Sequence, residues 1–285
     1  MPRPLRRPAP AKLNLGLHVL RKRPDGFHDL ASAFVPIGWA DAVTATDGPA
    51  LSLTCSDPAL PTDGGNLVLQ AARALAEHAG HRGGAALHLD KRVPYGAGLG
   101  SGSSDAAATL RLLSGLWGLG TPEAELARLA LGLGSDVPFF LVGAPALATG
   151  RGEVLAPITG ADGAPWRCPF WLVVAVPPVH VPTARAYGLV APRAAGRPDL
   201  AGALVSDDLA RWRAELTNDF QAPVEAAFPG VAAARRALED AGAGYASLSG
   251  SGGAVFGAFA DAAAARAAAA ALSRTCRVWT EPPAR

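Results

Sequence analysis

The sequence predicts an α+β protein in two domains, residues 1–158 and 159–285. Three features carry that expectation. Lys12 to Leu20 alternates between polar and apolar residues, the period of a β-strand. A loop rich in glycine and serine, residues 94–104, runs straight into an apolar-periodic helix from Asp105 to Leu116. Beyond a Gly-, Pro- and Ala-rich stretch from Ala156 to Pro169, strands and helices recur in the order of a split βαβ sheet with helices on one face.

In the first strand Leu13, Leu15, Leu17 and Val19 share one face, and Lys12, Asn14 and His18 share the other, so the strand should be half-buried. Short strands are expected at Phe34–Ile37, Leu51–Cys55 and Leu87–Leu89. Asn66 suits the N-cap of a helix from Val68 to His78, closed by Gly80. A further helix opens at Thr121, with Pro122 as first helical residue and Glu123 and Glu125 in the first turn, and ends near Gly132–Gly134. In the second domain Phe170–Val176 is a continuous apolar run, as a buried strand requires. Helical segments follow, then a strand–glycine turn–strand at Tyr245–Phe259, an alanine-rich helix and a last strand near Arg277–Thr280. There is no internal repeat.

Composition narrows the function. The 285 residues are 49% hydrophobic and 18% charged, as in a soluble protein. Net charge is +2, and the basic clusters, Arg3, Arg6 and Arg7 and the triplet Arg21-Lys22-Arg23, are short, which argues against a nucleic-acid partner. Cys55, Cys168 and Cys276 are far apart and odd in number, so neither a disulfide framework nor a zinc site is expected. Ala241–Ala260 and Cys168–Ala184 lack charge but are broken by glycine or proline, so no membrane span is expected. The N-terminus lacks the apolar core of a signal peptide, and the expected location is the cytoplasm.

The most informative stretch reads Pro94-Tyr-Gly-Ala-Gly-Leu-Gly-Ser-Gly-Ser-Ser104. Residues without Cβ let backbone amides close on an anion, and the following helix start adds unpaired N–H groups and a positive dipole end. Three hydroxyls offer donors to phosphate oxygens or a site for a metal ion. The stretch reads as a phosphate cradle. It is not a Walker A loop, because no lysine follows Lys91, and it lacks the third glycine of a dinucleotide fingerprint. The His-Arg-Asp and Asp-Phe-Gly segments of protein kinases are missing. A flexible linker is the plain alternative, but linkers rarely run into an apolar-periodic helix.

Three further places can carry chemistry. Lys12 and Asn14 project from the same strand face, though a solvated sheet edge would look the same. Arg23-Pro-Asp-Gly-Phe-His28 is a turn presenting an aromatic ring beside a histidine. Asp136, in Gly134-Ser-Asp-Val-Pro-Phe-Phe140, precedes an apolar run, where a carboxylate is costly unless paired; capping the next element is the alternative role.

With Leu248-Ser-Gly-Ser-Gly-Gly-Ala254 as a second glycine turn, the chain resembles the GHMP small-molecule kinases. Pro10-Ala-Lys-Leu-Asn14, Asp25-Gly-Phe-His28, Gly98-Leu-Gly-Ser-Gly-Ser-Ser-Asp105, Gly134-Ser-Asp-Val-Pro-Phe139 and Leu216-Thr-Asn-Asp219 are similar to the branch whose acceptor is 4-diphosphocytidyl-2-C-methyl-D-erythritol. The resemblance implies a ribosomal-S5-domain-2-like N-terminal domain and a ferredoxin-like C-terminal domain, with ATP and substrate meeting in the cleft between them. It implies transfer of the γ-phosphoryl group of ATP, with Mg2+ expected, to the C2 hydroxyl of that small molecule.

Asp136 would take the hydroxyl proton, and Lys12 would hold Asp136 and the incoming oxygen. Pro94, Tyr95, Gly96, Ala97, Gly98, Leu99, Gly100, Ser101, Gly102, Ser103 and Ser104 would bind ATP, with Asn66 and Lys91 near the adenine. Phe27 and Tyr187 would sandwich the cytosine, with Asn14, His28 and Thr183 as further substrate contacts. No nucleic-acid or membrane partner is implied, and the expected state is a monomer or weak homodimer. Phe27 replaces the tyrosine usual before His28, and Ser101 replaces a glycine usual in the loop, a change that requires φ below zero. A relative acting on a mevalonate-like or homoserine-like alcohol, or a catalytically silent nucleotide-binding module, are the other readings.

Overall fold

The computed structural model describes residues 4–284, which leaves Arg3 outside it. Ten strands and ten helices follow one another along these residues: β1 (Leu5–Lys22), β2 (His28–Gly48), β3 (Ser52–Cys55), α1 (Leu67–Ala79), β4 (Gly84–Asp90), α2 (Ser101–Leu116), α3 (Glu123–Leu133), α4 (Val137–Val142), β5 (Ala146–Thr149) and β6 (Val154–Pro157). Then come β7 (Trp171–Val176), α5 (Thr183–Gly188), α6 (Leu200–Leu204), α7 (Leu209–Glu215), α8 (Gln221–Ala227), α9 (Pro229–Asp240), β8 (Tyr245–Leu248), β9 (Val255–Phe259), α10 (Ala262–Leu272) and β10 (Arg277–Glu281).

They form two compact units whose segments interleave in sequence. One holds residues up to Ala11 with Gly38–Tyr95 and Gly100–Gly143; the other holds Lys12–Ile37, Gly96–Leu99 and everything from Ala144 onward. In the first unit β4 pairs antiparallel with the later part of β2, Ala42 opposite Asp90, and parallel with β3. Its core lies where Val68, Leu69, Ala72 and Leu75 of α1 meet Ala106, Leu110 and Leu113 of α2. The α1 residues recur at helical spacing, and each fully buried leucine contributes about 1.5–3 kcal/mol. Asn66 caps α1 by accepting from the Val68 N–H at 2.9 Å, and Gly80 ends it in the left-handed region at φ 61°.

In the second unit the earlier part of β2 pairs antiparallel with β5, Ser32 opposite Ala148, and β5 pairs with β6. A separate sheet has the order β10-β7-β9-β8 with every neighbouring pair antiparallel, the order of a split βαβ sheet. Val231, Ala234 and Leu238 of α9 and Ala265, Ala268 and Leu272 of α10 share a core with Val173, Ala175, Val255 and Phe259.

Several boundaries differ from expectation. β1 is buried on both faces through Ala11–Val19 rather than half-buried; Lys12, Asn14 and His18 are no more than 3% exposed. Their polar atoms have partners there: Asn14 Nδ2 donates to Ser32 Oγ at 2.8 Å, and His18 Nε2 lies 3.2 Å from Thr217 Oγ1. β2 runs well beyond Phe34–Ile37 at both ends. α2 begins at Ser101 instead of Asp105, and Pro122 is the N-cap of α3 rather than its first residue. Among the described residues no helix is long and apolar enough to cross a membrane.

Candidate active site

The loop before α2 is a chain of left-handed glycines. Gly96, Gly98 and Gly100 have φ of 69°, 88° and 69°, conformations that cost a side-chain-bearing residue about 1–2 kcal/mol each. Gly100 is the N-cap, so Ser101, Gly102 and Ser103 open the helix with amides that have no intrahelical acceptor. These amides and the helix dipole make the end of the loop a place for an anion. Ser101 is not among the positive-φ residues, so its side chain in place of glycine is accommodated.

The front of the loop is pinned from two sides. Lys12 N–H donates to the Leu99 carbonyl at 3.0 Å, and Ala254 N–H donates to the Ala97 carbonyl at 2.9 Å. Ser249 Oγ donates to the Gly98 carbonyl at 3.1 Å and accepts from the Asn14 N–H at 3.3 Å. The second glycine turn thus holds the first. It is itself held by Asn218, whose Nδ2 donates to the carbonyls of Leu248 and Gly250 at 2.8 and 2.9 Å.

Beside the loop, the buried Lys12 ammonium donates to Asn14 Oδ1 and sits 4.5 Å from the Phe34 ring centroid. Asn14 is fixed in turn by Ser32, whose hydroxyl donates to the Gly16 carbonyl at 2.7 Å. The structure therefore brings Lys12, Asn14 and Leu99 together. Asp136 occupies the residue before α4 without capping that helix through its side chain. Val137 and Phe139, which follow it, are buried, as their sequence requires.

Lys91 and Asn66 have their side chains engaged. The Lys91 ammonium donates to Asp41 Oδ2 and Asp105 Oδ2, both at 2.7 Å, and all three side chains are buried. Burial works against the Lys91 charge, but Asp105 and Asp41 outweigh it and hold its pKa above the ordinary lysine value. Burial pushes Asp105 up to about 7; Lys91 opposes that rise and Asp41 adds to it. Asp41 Oδ1 also accepts from the N–H of Val93 at 2.8 Å, just before the loop. Asn66 Oδ1 caps α1, and its Nδ2 donates to the Pro61 carbonyl at 2.8 Å. Tyr95 is exposed, and a Cβ on Gly102 would lie 3.8 Å from its ring.

The aromatic residues divide. His28 stacks on Tyr187 with ring centroids 4.9 Å apart and 28° between planes. Phe27 is 52% exposed, with the Arg151 guanidinium 4.8 Å from its ring centroid. Thr183 is exposed at the first residue of α5, one turn before Tyr187.

Two family models match this chain: "GHMP kinases N terminal domain" over residues 66–144 and "GHMP kinases C terminal" over 200–278. A 4-diphosphocytidyl-2-C-methyl-D-erythritol kinase from Salinibacter ruber is 57% identical over 270 residues, covering 94% of this chain and 95% of that protein. The chain belongs to the 4-diphosphocytidyl-2-C-methyl-D-erythritol kinase family. It is a small-molecule kinase that uses ATP. A crystal structure of 4-(cytidine 5'-diphospho)-2C-methyl-D-erythritol kinase is 36% identical with a TM-score of 0.82, covering 99% of this chain and 100% of that one. A homoserine kinase from Cytophaga hutchinsonii shares the fold, with a TM-score of 0.75 at 19% identity over 99% of this chain and 96% of that one.

For a member of this kinase family, the sequence left four supporting residues unassigned. Ser249 and Asn218 build the second glycine turn, and Asp41 and Asp105 hold Lys91. Asn218, Ser249 and Asp105 lie in motifs that are visible in the sequence; the pairing of Lys91 with Asp41 and Asp105 carries no local signal.

Proposed function

We propose that this chain transfers the γ-phosphoryl group of ATP to the C2 hydroxyl of 4-diphosphocytidyl-2-C-methyl-D-erythritol, giving the 2-phosphate and ADP, in the methylerythritol phosphate route to isoprenoid precursors. The substrate oxygen forms a bond to the γ-phosphorus as the bond from that phosphorus to the β-phosphate bridging oxygen breaks. Asp136 accepts the hydroxyl proton, and the Lys12 ammonium, oriented by Asn14, offsets the charge on the attacking oxygen.

The amides from Gly96 to Ser103 hold the phosphates, with Ser104 contributing its hydroxyl. Pro94 and Tyr95 adjoin the base, and Asn66 and Lys91 frame it through backbone and packing. When bound with ATP, Mg2+ would supply Lewis-acid charge to the phosphates. The hydroxyls of Ser103 and Ser104 suit it, because Mg2+ takes few protein oxygens, and the buried Ser104 Oγ has no hydrogen-bond partner.

The observation that carries the choice of acceptor is the His28–Tyr187 stack beside the exposed Phe27. An aromatic platform of this kind suits a nucleobase, with His28, Asn14 and Thr183 as polar contacts. It gives no advantage to an acceptor without one.

We assign the nucleotide-binding role to residues 1–158 and the remaining framework to 159–285, which the family matches on either side of that limit support. A cytoplasmic location and a monomer or weak homodimer belong to the same proposal, and the three free cysteines are in keeping with it. Phosphorus NMR of the reaction tests it: a new phosphomonoester with the diphosphate linkage intact is expected. Elongation of the phosphate chain, or ADP without an esterified acceptor, would refute it.

A further inference from the structure

Within the first unit, a cavity of about 390 Å³ lies along the face of α2 that carries Ser104, Ala107, Ala108 and Arg111, with Arg7 at its side. Pro8, Pro10, Phe140 and Leu141 make the rest of its wall mostly apolar. Two guanidinium groups serve this one space. Arg111 gives a two-pronged pair of hydrogen bonds to Glu123 and a third to the Leu141 carbonyl at 2.8 Å, which leaves two of its five N–H donors. Arg7 has no hydrogen-bond or ion-pair partner among the described residues. Arg7 is exposed overall; partial burial and the neighbouring Arg111 lower its pKa, with Glu123 partly offsetting them.

One carboxylate thus faces two guanidinium groups, and the cavity has surplus positive charge. Like charges are held together at a cost that an anion would relieve, and guanidinium forks match phosphate oxygens in geometry. The apolar wall and the volume suit a small organic ligand rather than a bare ion.

We propose that this cavity is a second anion site, which takes a phosphate monoester with a short apolar tail on Arg7 and Arg111. Ser104 belongs both to its lining and to the first turn of α2, so occupancy is felt at the phosphate loop. By linkage, the ligand and ATP change each other's affinity by the same factor.

Calorimetry on the full chain tests this, with n-pentyl phosphate as probe and the phosphate loop first saturated with a non-hydrolysable ATP analogue. The probe is expected to bind one to one, inorganic phosphate more weakly, and pentanol not at all. Arg7→Gln removes a charge that has no ion-pair partner among the described residues, without touching the Arg111–Glu123 pair. It is expected to weaken the probe by roughly tenfold or more, as loss of a charge-assisted bond would, and to keep the wild-type melting temperature. No binding once the loop is filled, equal binding of pentanol, or unchanged affinity in Arg7→Gln would each overturn the proposal. Because the loop is filled beforehand, these outcomes are separate from any failure of the ATP assignment, which would appear as no binding of the analogue itself.

Discussion

A Cβ on Gly98 would stand 2.1 Å from the carbonyl oxygen of Ser249. The glycine loop before α2 and the second glycine turn therefore touch backbone to backbone. The contact is reciprocal, since a Cβ on Gly252 would lie 2.2 Å from the Ala97 carbonyl carbon. Neither neighbour is a flexible side-chain end, so nothing inexpensive can yield.

Gly98→Ala is accordingly expected to displace the loop and weaken binding of an ATP analogue by about tenfold or more, as preorganised amides are lost. A left-handed φ of 88° adds about 1–2 kcal/mol of strain. Gly115→Ala, with open space around its Cβ inside α2, is the control and should be neutral or stabilising by up to about 1 kcal/mol. Calorimetry and thermal melting of both variants check this; equal ATP affinity in Gly98→Ala and wild type would contradict it.

Asp105 gives the chain a pH-dependent term. Its pKa rises on folding from 3.8 to about 7, so the folded state binds the proton more tightly. The stability it contributes is complete below about pH 4 and is lost as pH rises through about 7. Asp105→Asn keeps the size and removes this dependence. Its melting temperature should gain on the wild type as pH rises from about 5 to 8. Parallel melting curves across that range would show that Asp105 does not titrate there.

Asp136→Asn should fold normally and lose roughly 10²–10⁴-fold in kcat, the usual loss on removing a general base. Lys12→Met preserves most of the buried stem while removing the charge held by Asn14, and should also act on kcat. Single-turnover rates, with circular dichroism as the folding control, decide this. Near-wild-type turnover in Asp136→Asn would remove it from the mechanism.

Phe27→Ala and Tyr187→Ala should each raise the KM for the cytidylylated alcohol about tenfold, by analogy with base–aromatic stacking worth roughly 1–3 kcal/mol. The KM for ATP should barely move, and Phe27→Tyr should be close to neutral. If ATP affinity falls while acceptor affinity holds, the rings belong to the adenine side.

Much of this architecture was legible because it is periodic or carries a special residue. The alternation from Lys12, the Asn66 cap and the strand order after Trp171 follow from local rules. The start of α2 did not, because glycines in a loop and serines in a first helical turn look alike in sequence. Burial of both faces of β1 was hidden for another reason: Lys12 and Asn14 satisfy one another, so polar residues there do not mark solvent. Lys91, expected near the adenine, shows nothing in sequence of its ion pairs, because its partners Asp41 and Asp105 are 50 and 14 residues away. Pairing over such separations leaves no trace in spacing.

The most direct test is the relative kcat/KM for 4-diphosphocytidyl-2-C-methyl-D-erythritol, mevalonate and homoserine at saturating ATP. A site that uses base stacking and buried polar contacts should prefer the cytidylylated alcohol by about 10³-fold or more. Equal rates with the three acceptors, or preference for either small alcohol, would contradict the assignment.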